Sequence, residues 1–197
     1  MKLQELNQIS KTYFGYEEIA RILKINPSSA KVSAGRYVRQ GLLVRVKNNM
    51  YLLKDFWNRA TMEEKFVVAN LAQTPSYISL MTALSFYEAT TQIQRNFIES
   101  IVIKKSNEIK VDRDVLRYVR IKPDLYFGYR KQGNFFIASP EKALLDAFYL
   151  MSFGRYSLDI SALDQNKFDH RQIEQLSQNF PLKTKSLLVK HGYLKTT

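Results

Sequence analysis

Asn26-Pro27-Ser28-Ser29-Ala30-Lys31-Val32-Ser33-Ala34-Gly35-Arg36-Tyr37-Val38-Arg39-Gln40-Gly41 is the stretch from which the fold of this chain is read. Asn caps free helix amides, proline tolerates the first helical position and glycine stops a helix, so the spacing predicts a helix from Pro27 to about Gln40. At about 100° per residue, Ala30, Ala34, Tyr37 and Val38 gather on one side and Ser28, Ser29, Val32, Gly35, Arg36 and Arg39 on the other. A valine among serines and arginines has little structural purpose on an exposed face. On a recognition helix, Val32 could meet a thymine methyl while Arg36 reaches a guanine edge. Lys31, at the border between the faces, suits a phosphate. Gly35 costs roughly 1 kcal/mol relative to alanine, a cost explained if a DNA backbone must come close there.

The neighbouring segments fit the same reading. Leu3, Leu6 and Ile9 recur at helical spacing and predict a short supporting helix. A second helix is expected from Tyr16 to Leu23, with Ile19, Ile22 and Leu23 inward and Glu17 and Glu18 near its positive end; Lys24, Ile25 and Asn26 form the turn. After Gly41, Leu42 to Leu53 reads as two strands around Asn48-Asn49, a pair suited to a two-residue hairpin. Val44 and Val46 alternate with Arg45 and Lys47, which predicts one strand face packed on the helices and the other presenting two cations to phosphates or the minor groove. Between Glu18 and Asp55 there is no acidic residue and there are eight basic ones, Arg21, Lys24, Lys31, Arg36, Arg39, Arg45, Lys47 and Lys54. Pattern and charge together predict a winged helix-turn-helix DNA-binding domain over residues 1–55, reading double-stranded DNA through Ser28, Ser29, Lys31, Val32, Arg36, Arg39, Arg45 and Lys47.

Residues 56–197 have a different character, expected to be a mixed α+β domain with a small sheet, so that the whole chain is α+β. Lys54 to Arg59 reads as a boundary with Phe56 and Trp57 as packing residues. Helices are expected over Thr61 to Gln73 and Leu80 to Ala89, and strands over Ile98 to Ile103, Arg117 to Ile121 and Phe135 to Ala138. Ser139-Pro140-Glu141 restarts a helix whose buried side is Ala143, Leu144, Ala147, Phe148 and Met151. That leaves Glu141, Lys142 and Asp146 free for another role. Further helical patterns lie around Ile160 to Leu163, Arg171 to Asn179 and Leu182 to His191.

Composition narrows the function classes. With 45% hydrophobic and 13% aromatic residues the chain should fold, and a net charge of +12 favours an anionic partner. No cysteine and only two distant histidines, His170 and His191, argue against a disulfide framework or a zinc site. No cofactor or metal is expected. Met1 to Ser10 carries charged and polar residues where a secretory signal needs an apolar core, and no apolar run reaches spanning length, so a cytoplasmic protein without membrane placement is expected.

Enzyme readings fare poorly against the same residues. Pro123-Asp124 is not followed by the E-x-K element of a metal nuclease, since Glu63-x-Lys65 and Glu108-x-Lys110 both precede it. Asp112 and Asp114 sit among Lys110, Arg113 and Arg117 and read as a charged turn between strands. Ser139 lacks a nucleophile elbow, and seven glycines include no phosphate loop. A non-enzymatic chain is expected. An adaptor using Tyr126, Phe127, Tyr129, Phe135 and Phe136 as an aromatic surface for protein or single-stranded RNA is the alternative class, although core of a small sheet is the simpler place for them.

Tyr16-Glu17-Glu18-Ile19-Ala20, Pro27-Ser28-Ser29-Ala30, Gly41-Leu42-Leu43, Pro75-Ser76-Tyr77-Ile78-Ser79 and above all Phe136-Ile137-Ala138-Ser139-Pro140-Glu141-Lys142-Ala143-Leu144-Leu145-Asp146 resemble AbiEi-type antitoxins of type IV toxin-antitoxin systems. The resemblance covers most of the chain. It implies a bacterial antitoxin and autorepressor: a winged helix that binds inverted repeats in its own promoter, an arrangement compatible with a homodimer on DNA, and a C-terminal domain that counters a neighbouring nucleotidyltransferase toxin. It carries no catalytic residues. A stand-alone transcriptional regulator is the expectation if no toxin is encoded nearby.

Overall fold

A computed structural model of the chain describes Leu6, residues 11–92 and residues 94–195. Most of the expected opening helix, with Leu3 and Ile9, lies outside these residues; Leu6 is buried. The chain is mixed α+β with two sheets, one of two strands and one of six. Helices α1 (Tyr16–Leu23) and α2 (Pro27–Arg39) precede a hairpin of β1 (Leu43–Lys47) and β2 (Met50–Leu53). The segment expected to be a boundary is a short helix, α3 (Lys54–Arg59), with Trp57 buried.

The remaining elements are α4 (Met62–Ala72), β3 (Ser76–Ile78), α5 (Leu80–Phe86), β4 (Phe97–Val102), β5 (Asn107–Val111), β6 (Asp114–Arg120), β7 (Tyr129–Gln132), β8 (Phe135–Ala138), α6 (Pro140–Ser152), α7 (His170–Ser177) and α8 (Leu182–Lys190). Their strands form one sheet in the order β5-β6-β4-β3-β8-β7. β4 and β6 run parallel, as do β3 and β8, while the other pairs are antiparallel. α6 is the organising helix. It follows β8 directly, is capped by the Ser139 hydroxyl accepting from the Lys142 amide (3.2 Å), and buries eleven of its thirteen residues against α5, α7 and α8. A helix enclosed on nearly every side belongs to a core rather than to a surface.

Apolar packing divides into two clusters. The smaller joins Phe14, Ile19, Ala30, Ala34, Tyr37, Leu43 and Tyr51, so α1 and α2 rest on one face of the hairpin. The larger holds Val44, Val46, Met50 and Leu52 together with Trp57, Phe66 and the sheet. The expected orientation of the hairpin is thereby corrected: Val44 and Val46 do not pack on the helices but on the second lobe, where β1 lies along β5 and α3. The physical reason is that apolar residues on both faces of the hairpin are buried. Leu43 pairs across with Leu53, and Val44 with Leu52, so alternate residues serve different cores.

The hairpin tip is fixed as well. Asn49 takes a left-handed conformation (φ 53°), its Oδ1 accepts the Tyr16 amide (2.7 Å), and its Nδ2 donates to Glu17 (2.9 Å). Tyr16 is the first residue of α1, so Asn49 supplies from across the chain a partner for an amide the helix cannot satisfy itself. Asn49→Ala is expected to cost about 1–2 kcal/mol, read as a lowered denaturant midpoint with unchanged slope. An effect below a few tenths would mean that water replaces the side chain.

Candidate nucleic-acid interface

Local chemistry builds α2 at both ends. Asn26 Oδ1 accepts the Ser29 amide (2.8 Å), as expected for a cap before Pro27. At the other end the Gly41 amide donates to the Val38 carbonyl (3.0 Å) and the Leu42 amide to the Tyr37 carbonyl (2.9 Å). This paired closure places Gly41 at φ 70°, a conformation that favours glycine. The turn before α2 carries Lys24 at φ 50°, with the Ile25 amide donating to the Ala20 carbonyl (3.0 Å).

Between these ends the two faces separate as the periodicity predicts. Ala30, Ala34 and Tyr37 are buried, while Ser28, Ser29, Lys31, Val32, Gly35, Arg36 and Arg39 are exposed. Val32 is 71% exposed, well outside the range of a core residue. A Cβ added at Gly35 would meet nothing within 4 Å, so the surface beside Val32 is open. The Arg36 guanidinium lies 5.5 Å from the Tyr37 ring centre, which supports its base while leaving its outer edge in solvent.

The electrostatics of this lobe are one-sided. Among the described residues, Arg21, Lys24, Lys31, Arg36, Arg39 and Arg45 have no carboxylate at ion-pair distance. The acids of α1 are occupied elsewhere. Glu18 pairs with Lys11 (2.8 Å) and accepts the Gly15 amide (3.0 Å), and the Lys11 hydrogen bond holds its carboxyl below the usual range.

Two of the eight basic residues turn away from the common surface, which corrects the sequence reading. Lys54 pairs with Asp112 (3.0 Å), and Lys47 Nζ donates to the Leu71 carbonyl at the end of α4 (2.7 Å). Arg45 remains exposed, with only a long contact to the Lys47 carbonyl (3.4 Å). Of the two expected hairpin cations, Arg45 keeps a free head and Lys47 anchors the hairpin to the second lobe.

The carboxylates weighed as metal ligands are also engaged. Asp112, at φ 55°, makes the turn between β5 and β6, and Asp114 pairs with Lys65 (2.8 Å), which itself lies over the Trp57 ring. Both therefore tie the sheet to α3 and α4. The aromatic residues considered as an adaptor surface divide: Phe135 is core, Tyr126, Phe127 and Tyr129 are half-buried, and Phe136 is 41% exposed.

The residues left free in the sequence reading of the Ser139 segment are not free. Glu141 is buried and accepts the Asp169 amide (3.2 Å) at the start of α7. Lys142 and Asp146 are fully buried and bonded to each other. Asp146 Oδ2 also accepts from the Tyr77 hydroxyl (2.9 Å) and the Ser79 hydroxyl (2.8 Å), and Lys142 Nζ donates to the Tyr77 oxygen (3.0 Å). Helical i,i+4 spacing placed both charges on one face; nothing in the spacing showed that this face points into the core.

No family model and no curated protein matches the chain. Among solved structures it is similar to the one described as the crystal structure of RV2827C protein from Mycobacterium tuberculosis, with a TM-score of 0.62 at 11% identity, over 97% of this chain and 76% of that one. A likeness at that identity concerns the fold alone. Among the described residues no helix is long and apolar enough to cross a membrane.

Proposed function

We propose that the chain is a sequence-specific DNA-binding regulator whose α1, α2 and hairpin act as a winged helix-turn-helix, with α2 as the recognition helix. The observation that carries this reading is the exposed Val32, set among Ser28, Ser29, Lys31, Arg36 and Arg39 on a face without ion-paired carboxylates. An apolar group in such a setting is useful against a thymine methyl. The resemblance to AbiEi-type antitoxins extends the reading: two copies on an inverted repeat repress the chain's own promoter, and the second lobe serves to counter a nucleotidyltransferase toxin.

Footprinting of the full chain on the DNA upstream of its own gene tests the first half. Protection of two half-sites about one helical turn apart is expected, and binding indifferent to sequence would overturn it. Co-expression with a nucleotidyltransferase encoded beside it tests the second, through rescue of growth.

The hairpin gives a separate expectation. Arg45→Ala should lower the slope of log affinity against log salt by about 0.9, the share of a single phosphate neighbour. Lys47→Ala should act mainly on stability, because its head is held by Leu71. Equal salt slopes for wild type and Arg45→Ala would remove the hairpin from the interface.

A further inference from the structure

Away from the basic face, a cavity of about 290 Å³ opens between the end of α4 and the β7-β8 edge, with Leu71, Tyr126, Tyr129 and Phe136 in its wall. Its aromatic wall is held rigid. Tyr77 stacks face to face behind Tyr129 (4.6 Å, 13°), and Tyr126 and Phe136 meet Tyr129 edge-on (5.1 Å, 62°; 6.0 Å, 84°). Rings fixed in this way offer flat apolar surface at little cost in side-chain entropy.

Asn70, Thr74, Ser76 and Asn134 also line the cavity, and two of these polar side chains, Asn70 and Ser76, are more than nine-tenths buried. Asn70 Oδ1 accepts the Phe136 amide (2.6 Å), and its Nδ2 reaches the Ser76 oxygen at a long 3.4 Å. By the donor inventory of an amide and a hydroxyl, one Asn N–H and the serine O–H have no acceptor in these contacts. Buried donors left over in an apolar cavity favour a ligand that brings acceptors. No acidic side chain lines the wall, so no full negative charge is there to pair with a cation.

We propose that this cavity binds an uncharged, flat aromatic heterocycle of the nucleobase class, its ring against Tyr129 and Phe136 and its acceptor edge toward Asn70 and Ser76. The site lies in the second lobe and is independent of the DNA-binding reading. Adenine is the probe, added to the full chain and followed by the backbone amide shifts in nuclear magnetic resonance. Saturable shifts at Leu71, Ser76, Tyr129 and Phe136 are expected.

Phe136→Ala, at a position exposed enough to spare the fold, should weaken adenine about fivefold or more. Ser76→Ala should weaken adenine and leave toluene unchanged. Toluene binding as tightly as adenine would reduce the site to a greasy cavity, and tetramethylammonium binding in its place would make it a cation cage. Either result, or no shift at all, overturns the proposal. Comparing adenosine with hexa-adenylate RNA identifies the source: a salt-sensitive gain of tenfold or more for the RNA points to bases of a single strand, and equal affinities to a free base or nucleoside.

Discussion

Asp146→Ala should destabilise the chain by about 3–5 kcal/mol, the usual cost of removing one partner from a buried ion pair. Lys142 is fully buried, and its ammonium lies 5.1–5.4 Å from the ring centres of Phe127, Tyr77 and Phe180. Gly128 helps to enclose it: at φ 71°, a conformation that favours glycine, a Cβ there would sit 3.0 Å from the lysine stem, so a larger residue would strain the loop and press on the lysine. Burial pushes Lys142 down and Asp146 up from their ordinary values, and their mutual attraction opposes both shifts. Without Asp146, burial alone acts on the lysine. The unfolded chain then binds a proton that the folded one releases, so the stability of Asp146→Ala should rise with pH from its lowered lysine value toward the ordinary 10.5. In the wild type Asp146 opposes the lowering, the same rise starts at higher pH, and the deficit narrows only between the two lysine values.

A control separates the missing charge partner from a simple packing loss. Lys142→Met with Asp146→Leu removes both charges at similar volume and should recover most of the missing stability, because a paired buried ion bridge and a well-packed apolar pair are often close in free energy. Urea unfolding of the wild type, Asp146→Ala and the double variant measures this. A single-mutant loss below about 1 kcal/mol would show that water reaches the lysine, and a double mutant as weak as the single would assign the loss to packing.

The same network shows where sequence patterns lose their power. Ser139-Pro140 announces the start of α6 through capping chemistry that is local, and the structure places the helix there. Burial of Lys142 and Asp146 is not local: it depends on Tyr77 and Ser79, more than sixty positions away. Strands divide in the same way. β4, β6 and β8 carry enough β-branched or aromatic residues to be read. The two edges of the sheet, β5 (Asn-Glu-Ile-Lys-Val) and β7 (Tyr-Arg-Lys-Gln), carry polar and charged residues, as edges that must resist further pairing do, and they escape a search for apolar alternation. β3, only three residues long and fully buried, offers too little sequence for a period. On the first lobe the helical face of α2 was legible because one side meets water. The hairpin was misjudged because its two faces meet two different cores, and apolar alternation says that a face is buried without saying against what.

If α2 reads bases, Arg36→Ala should lower affinity for the preferred site by about 1–3 kcal/mol, roughly 5- to 150-fold, and relax the preference at one base pair. Arg36 lies one turn after Val32 on the exposed face, so a guanine contacted by its two nitrogens would sit within a few base pairs of the thymine met by Val32. Arg36 is exposed and its guanidinium lies against the Tyr37 ring, so its removal takes little from the core and the folded state should change by no more than about 0.5 kcal/mol. Lys31→Ala provides the contrast, since removing a phosphate-binding ammonium at the border of the helix weakens all sequences alike and leaves the selected site unchanged. Selection of binding sites from random DNA by the wild type and both variants distinguishes the roles, with thermal unfolding as the control for folding. Identical consensus sites from wild type and Arg36→Ala would place base recognition elsewhere. Val32→Ser should then still be informative: loss of preference for thymine at the neighbouring position would keep α2 in the groove, and its persistence would remove the helix from sequence readout altogether.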